Sequence, residues 1–163
     1  MSQRGLRPLS IIPYLRTREG RLAYGHALKR GWSGILDQFL RKKVYVVDDD
    51  DAVRDSMCIF LEACGLDVHE FRSAREFLAT MCARPSGCLL LDLHMPEMNG
   101  LELLELLRER GSQLPVVMFT GRSDSVLKER AQRSGAVMLD KPVRDDVLLK
   151  ALDNAFDARA QVN

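Results

Sequence analysis

The chain has 163 residues, 46% of them hydrophobic and 29% charged, a composition that suits one globular domain with its own core and excludes two full domains. Its net charge of +1 hides an asymmetry, because residues 1–43 carry ten Lys or Arg against two acidic residues, whereas residues 44–163 carry fourteen against twenty-one. No apolar run approaches the roughly 18 residues of a membrane span, and no secretory signal is recognisable, so we expect a cytoplasmic protein.

Residues 1–43 are predicted to form a basic N-terminal extension that is flexible or partly helical, since only the stretch from Ser33 to Leu40 is amphipathic. Scattered Arg and Lys without an aromatic pattern are typical of a solvated extension. These charges would also suit contact with nucleic acid or an anionic membrane. An unused upstream translation start would equally explain the extension.

From residue 44 onward, short aliphatic runs alternate with segments of helical period, which predicts a parallel sheet covered on both faces. Three of the strands are almost wholly apolar and are predicted to be central, whereas the second alternates and is predicted to be an edge strand. The predicted strands are Val44–Val47, Asp67–Phe71, Cys88–Leu91, Pro115–Phe119 and Val137–Leu139.

The intervening helices carry start and stop signals. The first apolar stripe ends at Gly65, and Ser73 with Glu76 forms the pattern of a capping box. The helix predicted from Ser125 to Ser134 has few apolar positions among many charges. We therefore expect it to be weakly anchored and to be the element that moves.

The four cysteines show no C-x-x-C spacing and no neighbouring histidine pair, which argues against a zinc site or a redox motif. We expect reduced and mostly buried thiols at Cys58, Cys64, Cys82 and Cys88.

Polar side chains follow four of the predicted strands: the run Asp48–Asp51 after the first, Asp92 after the third, Thr120 after the fourth and Lys141 after the fifth. Carboxyl ends of parallel strands share one edge of a sheet, where ligands bind. Clustered carboxylates favour a hard cation such as Mg2+, and a carboxylate beside it can attack phosphorus. Taken alone, the run Asp48–Asp51 could equally cap the next helix.

Four segments resemble the signature segments of bacterial two-component receiver domains, with the FixJ-like and NarL-like branch the most similar. They are Val44–Arg54, Leu89–Gly100, Phe119–Gly121 and Gly135–Pro142. The resemblance covers residues 44–158 and leaves 159–163 as a short tail. It implies an α/β fold: a doubly wound five-stranded parallel sheet in the order 2-1-3-4-5 with five helices, of the flavodoxin-like or CheY-like type.

The resemblance also implies roles for individual residues. It implies a Mg2+ site formed by Asp48, acting mostly through water, Asp49, Asp92 and the backbone carbonyl of His94. It implies phosphoryl chemistry at Asp92 as phosphoacceptor, Thr120 as a phosphoryl contact and Lys141 as the paired cation, with a cis peptide bond before Pro142.

Several positions depart from the family pattern or lie beside it. Met138 stands where many receivers have an aromatic switch residue. The His94 side chain is expected to point outward and at most to tune the phosphoryl lifetime, and Arg122 is expected to shield the acyl phosphate. Relatives continue into a helix-turn-helix domain, whereas this chain ends at 163, so we expect a stand-alone receiver.

The predicted function is that of a phosphoacceptor switch, and not of an enzyme beyond catalysing its own phosphotransfer and dephosphorylation. Its expected partners are a histidine kinase or phosphotransfer protein, and a downstream protein on the surface of the fourth helix, fifth strand and fifth helix, with a phosphorylation-dependent homodimer as an alternative. A haloacid-dehalogenase-type phosphatase needs a second acid where His94 stands. A DNA-directed regulator that uses the basic extension would also fit the sequence, as would a phosphorylation-independent binding module.

Overall fold

A computed structural model describes residues 42–80, 85–121 and 125–160. Within these residues, five strands alternate with five helices. They are β1 Lys43–Val47, α1 Asp51–Ala63, β2 Asp67–Phe71, α2 Ala74–Thr80, β3 Cys88–Asp92, α3 Gly100–Glu109, β4 Val116–Thr120, α4 Ser125–Arg133, β5 Ala136–Asp140 and α5 Asp145–Ala160. The predicted amphipathic stretch of the basic extension lies outside the described residues.

The strands form one parallel sheet in the order β2-β1-β3-β4-β5. Every residue of β3 and of β4 is buried, whereas Phe71 is the only fully buried residue of β2. The apolar and alternating patterns therefore distinguished central strands from an edge strand correctly. The predicted doubly wound fold with five helices is confirmed.

Successive side chains of each strand point to opposite faces of the sheet, so the sheet contributes to two separate cores. Val46 and Leu90 pack on the face covered by α1 and α5. Val47 and Leu91 pack on the other face, together with residues of α2, α3 and α4. Among the described helices, none has the length and apolar content that crossing a bilayer requires.

Local signals mark the helix ends near the second strand. Gly65 follows α1 with a φ of 89°, a left-handed conformation that favours glycine. The Ser73 hydroxyl accepts from the backbone N–H of Glu76 at 3.1 Å. The Glu76 carboxylate, however, accepts from the N–H of Arg72, so only half of the predicted capping box forms.

Helix α4 makes few apolar contacts with the core and two ion pairs to neighbouring elements. Ala131 is its only fully buried residue, Leu127 is half-buried, and Val126 is 65% exposed. Two ion pairs connect the helix to its neighbours: Arg130 with Glu105 of α3, and Lys128 with Asp140 of β5. The composition of the segment predicted this scarcity of apolar contacts, and its mobility remains a prediction.

The described cysteines should be unreactive in the folded protein. Burial raises the pKa of the Cys58, Cys64 and Cys88 thiols to about 12 in each case, so the reactive thiolate is scarce at neutral pH. We expect alkylation by iodoacetamide near pH 8 to be at least about tenfold slower in native protein than in urea at these three sites. Peptide-resolved mass spectrometry measures this; equal rates with and without urea would contradict it. Cys82 lies outside the described residues.

Candidate functional site

The predicted polar residues converge at the carboxyl edge of the sheet. Asp92 and Thr120 are the last residues of β3 and β4, while Asp48 and Lys141 directly follow β1 and β5. Asp48, Asp92 and Thr120 are 3%, 6% and 1% exposed. Burying polar groups to this degree is costly unless they are paired, so their partners define the site.

Lys141 joins the two buried carboxylates. Its Nζ donates to Asp48 Oδ2 at 2.9 Å and to Asp92 Oδ1 at 2.7 Å. Burial opposes the charge on the ammonium, but these hydrogen bonds and the negative charges of both aspartates outweigh it and raise the pKa of Lys141. Burial likewise raises the pKa of Asp48, against the lowering effect of its bonds to Lys141 and to a backbone N–H.

The other carboxylate oxygens are occupied by backbone N–H groups. Asp48 Oδ1 accepts from the N–H of Asp50 at 2.9 Å, and Asp92 Oδ2 accepts from the N–H of His94 at 2.8 Å. All four oxygens of the buried pair therefore have a hydrogen-bond donor. Both carboxylates are consequently fixed in orientation.

The Thr120 hydroxyl lies beside the imidazole of His94. Its Oγ1 is 3.3 Å from His94 Nε2, within hydrogen-bond distance. The His94 side chain is half-buried and turns towards Thr120, so it does not point outward as the resemblance implied. His94 thus contacts two site residues, Asp92 through its backbone and Thr120 through its ring.

The four consecutive aspartates do different things. Asp48 is buried in the site and Asp49 is exposed. Asp50 caps α1, because its carboxylate accepts from the N–H groups of the first helical turn. Asp51 forms an ion pair with Arg54. Helix capping and site formation, the two interpretations of this run, each apply to different members of it.

Arg54 holds the loop that carries Asp48; it ends the first signature segment, but no role was predicted for it. Its side chain is 8% exposed, and its Nη1 donates to the backbone oxygen of Asp48 at 2.9 Å. The guanidinium also pairs with Asp51 and with Glu70 of β2. The hydrogen bond and charge of Arg54 lower the pKa of Asp51. Arg54 therefore ties the loop that carries Asp48 to the edge strand.

Gly100, the first residue of α3, packs directly on the backbone of Asp92. A Cβ at this position would lie 2.3 Å from the Asp92 carbonyl oxygen, while the Gly100 N–H donates to Leu93 at 3.0 Å. Only glycine permits this approach without movement of the backbone.

We expect Gly100→Ala to lower the free energy of unfolding by about 1–3 kcal/mol, because the added methyl must displace the helix or the Asp92 peptide. Urea denaturation measures the change. The matched control is Gly121→Ala, whose Cβ would meet nothing within 4 Å and which should shift stability by less than about 0.5 kcal/mol. Equal effects of the two substitutions would contradict the steric argument.

The predicted metal ligands match Mg2+ in donor type but are not assembled as a ready-made cluster. Among the described residues, no group of three or more His, Cys, Asp or Glu side chains is placed to hold a metal. Asp48, Asp92 and the His94 carbonyl supply the hard oxygen donors that Mg2+ prefers. The Lys141 ammonium bridges both carboxylates, so it is the cation that neutralises them here.

Three further predicted positions remain: the peptide bond before Pro142, Met138 and Arg122. The peptide bond between Lys141 and Pro142 is cis, as the resemblance implied. Met138 is half-buried and packs against the core on the α3 and α4 side, so it faces inward where an aromatic residue is usual. Arg122 lies outside the described residues.

A buried aspartate, a lysine and a hydroxyl at the carboxyl edge of a 2-1-3-4-5 sheet define a receiver-type protein. The sequence profile described as the response regulator receiver domain matches residues 44–153. The chain therefore belongs to the response regulator receiver family.

Relatives and solved structures agree with this assignment. The transcriptional regulatory protein FixJ of Azorhizobium caulinodans is 41% identical over 119 residues, which cover 72% of this chain and 56% of the relative. The response regulator protein TodT of Pseudomonas putida strain F1 is 37% identical over 119 residues, covering 72% and 52%. The crystal structure of FixJ-N superposes with a TM-score of 0.67 at 34% identity, covering 71% of this chain and 94% of that one. The chain thus spans about half the length of these full-length relatives.

Proposed function

We propose that this protein is a phosphorylation-activated switch in which Asp92 accepts a phosphoryl group from a histidine kinase or phosphotransfer protein. The observation that carries the proposal is the buried Asp92 carboxylate, held at 2.7 Å by the Lys141 ammonium. Membership of the receiver family supports it.

The site residues suit this transfer chemically. An Asp92 oxygen attacks phosphorus, and the bond from phosphorus to the donor's nitrogen or oxygen breaks, with its electron pair leaving on the donor. Lys141 neutralises charge on the phosphoryl oxygens, and the Thr120 hydroxyl can donate a hydrogen bond to one of them.

Asp48, Asp49, Asp92 and the His94 carbonyl would hold Mg2+, which when bound neutralises phosphoryl oxygens and favours their transfer. Asp49 is the exposed member of this set and can turn towards the site without breaking a buried contact.

The signalling surface proposed here comprises α4, β5 and α5. The exposed large hydrophobic side chains of the described residues lie one on each of these elements: Val126, Val137 and Val147 are 65%, 43% and 40% exposed. These exposed apolar side chains offer contact area to a protein partner, with a second phosphorylated copy of this chain as the alternative partner.

Phosphoryl uptake tests the proposal. We expect wild-type protein to gain one phosphoryl group by intact mass spectrometry when incubated with acetyl phosphate and Mg2+, and we expect uptake to fall to background when EDTA removes the metal. A histidine kinase serves as second donor. Steady turnover of acetyl phosphate without a phosphoprotein would indicate the phosphatase alternative, and no uptake from either donor would indicate a phosphorylation-independent binding module.

A further inference from the structure

The residues of the site are paired with one another in the unphosphorylated protein. Lys141 occupies one oxygen each of Asp48 and Asp92, backbone N–H groups occupy the other two, and the Thr120 hydroxyl lies against His94. An incoming phosphoryl group must therefore exchange existing hydrogen bonds for new ones.

The contact between Thr120 and His94 differs from the others, because the His94 imidazole has no role in the proposed phosphoryl transfer. Thr120 is 1% exposed, so its hydroxyl is directed by neighbouring protein groups and not by bulk water. A threonine hydroxyl has one hydrogen to donate. Phosphoryl oxygens in a metal-bound, ionised group are acceptors, so Thr120 must give that hydrogen to the phosphoryl group.

We propose that His94 is a positioning residue that restrains the unphosphorylated state: its Nε2 accepts the hydrogen of the Thr120 hydroxyl, and phosphorylation requires that bond to be released. This inference deepens the proposed function and rests on it. The backbone N–H of His94 bonds to Asp92, so the same residue is positioned by the phosphoacceptor and holds the hydroxyl that must reorient.

Binding of beryllium fluoride, a non-hydrolysable phosphoryl mimic, measures the cost of this release. In His94→Leu the imidazole acceptor is gone, and we expect the dissociation constant for beryllium fluoride with Mg2+ to fall by about two- to tenfold, the range for one net hydrogen bond. His94→Gln keeps an acceptor oxygen and should bind close to wild type. Isothermal titration calorimetry at one fixed pH gives all three values.

A double-mutant cycle separates the hydrogen bond from the bulk of the side chain. In a Thr120→Val background there is no hydroxyl to release, so His94→Leu should leave the dissociation constant unchanged. Weaker mimic binding in His94→Leu, or the same gain in the Thr120→Val background, would overturn the proposal.

Nitrogen NMR of the unliganded protein tests the restraint without any phosphoryl mimic. We expect Nε2 of His94 to carry no hydrogen and its resonance to shift in Thr120→Val. A protonated Nε2 at neutral imidazole would overturn the inference. Failure of the wild type to bind the mimic would count against the proposed function, while the NMR result would still decide for or against the restraint.

Discussion

Asp92→Asn will abolish phosphoryl uptake, lowering it at least about 100-fold, because a neutral amide is a poor nucleophile towards phosphorus. The substitution also removes one acceptor of the Lys141 ammonium, which bonds to Asp92 Oδ1 at 2.7 Å. The measurement is intact mass after incubation with acetyl phosphate and Mg2+, with thermal unfolding recorded to establish that the variant is folded.

The matched control is Asp50→Asn, an acid-to-amide change in the neighbouring loop. Asp50 caps α1 through its carboxylate, and asparagine caps helices equally well, so uptake should stay close to that of wild type. Undiminished uptake by Asp92→Asn would show that another carboxylate accepts the phosphoryl group. Asp48 and Asp49 would then be the candidates.

Lys141→Met will have two opposite effects. Removal of the ammonium leaves the buried carboxylates of Asp48 and Asp92 facing one another without a counter-ion, so affinity for Mg2+ should rise by at least about threefold. Phosphoryl uptake should nevertheless fall by about 100-fold or more, because a cation that neutralises the transferred group has been lost. Calorimetric titration with Mg2+ and phosphoryl uptake measure the two effects separately.

Lys150→Met controls for the loss of one positive charge, since Lys150 is exposed on α5. Neither Mg2+ affinity nor uptake should change appreciably in that variant. A lower Mg2+ affinity in Lys141→Met would contradict this prediction. It would show that the ammonium orients the two carboxylates for Mg2+ and does not compete with Mg2+ for them.

Much of the fold followed from the pattern of apolar residues. Asp67–Phe71 was predicted with its observed bounds, because an edge strand alternates and turns flank it. The predicted β1 and β3 were one residue short at one end, β5 was one residue short at both ends, and β4 was displaced by one residue. At the carboxyl ends, Asp92, Thr120 and Asp140 are polar yet continue the pairing of their strands. Polar residues at the end of a buried strand interrupt the apolar run that locates it.

The site was predictable as a set of residues and not as a set of contacts. Strand order brings Asp48, Asp92, Thr120 and Lys141 to one edge of the sheet, independently of their side-chain conformations. The bond between Thr120 and His94 depends on side-chain rotamers, which a single sequence does not reveal. The capping box of α3, formed by Asn99 and Glu102, had a readable signal in its N-x-x-E spacing that was not used.

The way α4 is attached has a thermodynamic consequence. Val126 is already exposed and Ala131 is the only fully buried residue of the helix, so a displacement of α4 would bring little additional hydrocarbon into water. The heat capacity of the protein responds mainly to such hydration. A rearrangement of this helix would therefore change the heat capacity very little. Because it would break the ion pairs to Glu105 and Asp140, the equilibrium constant of the same rearrangement would depend on ionic strength.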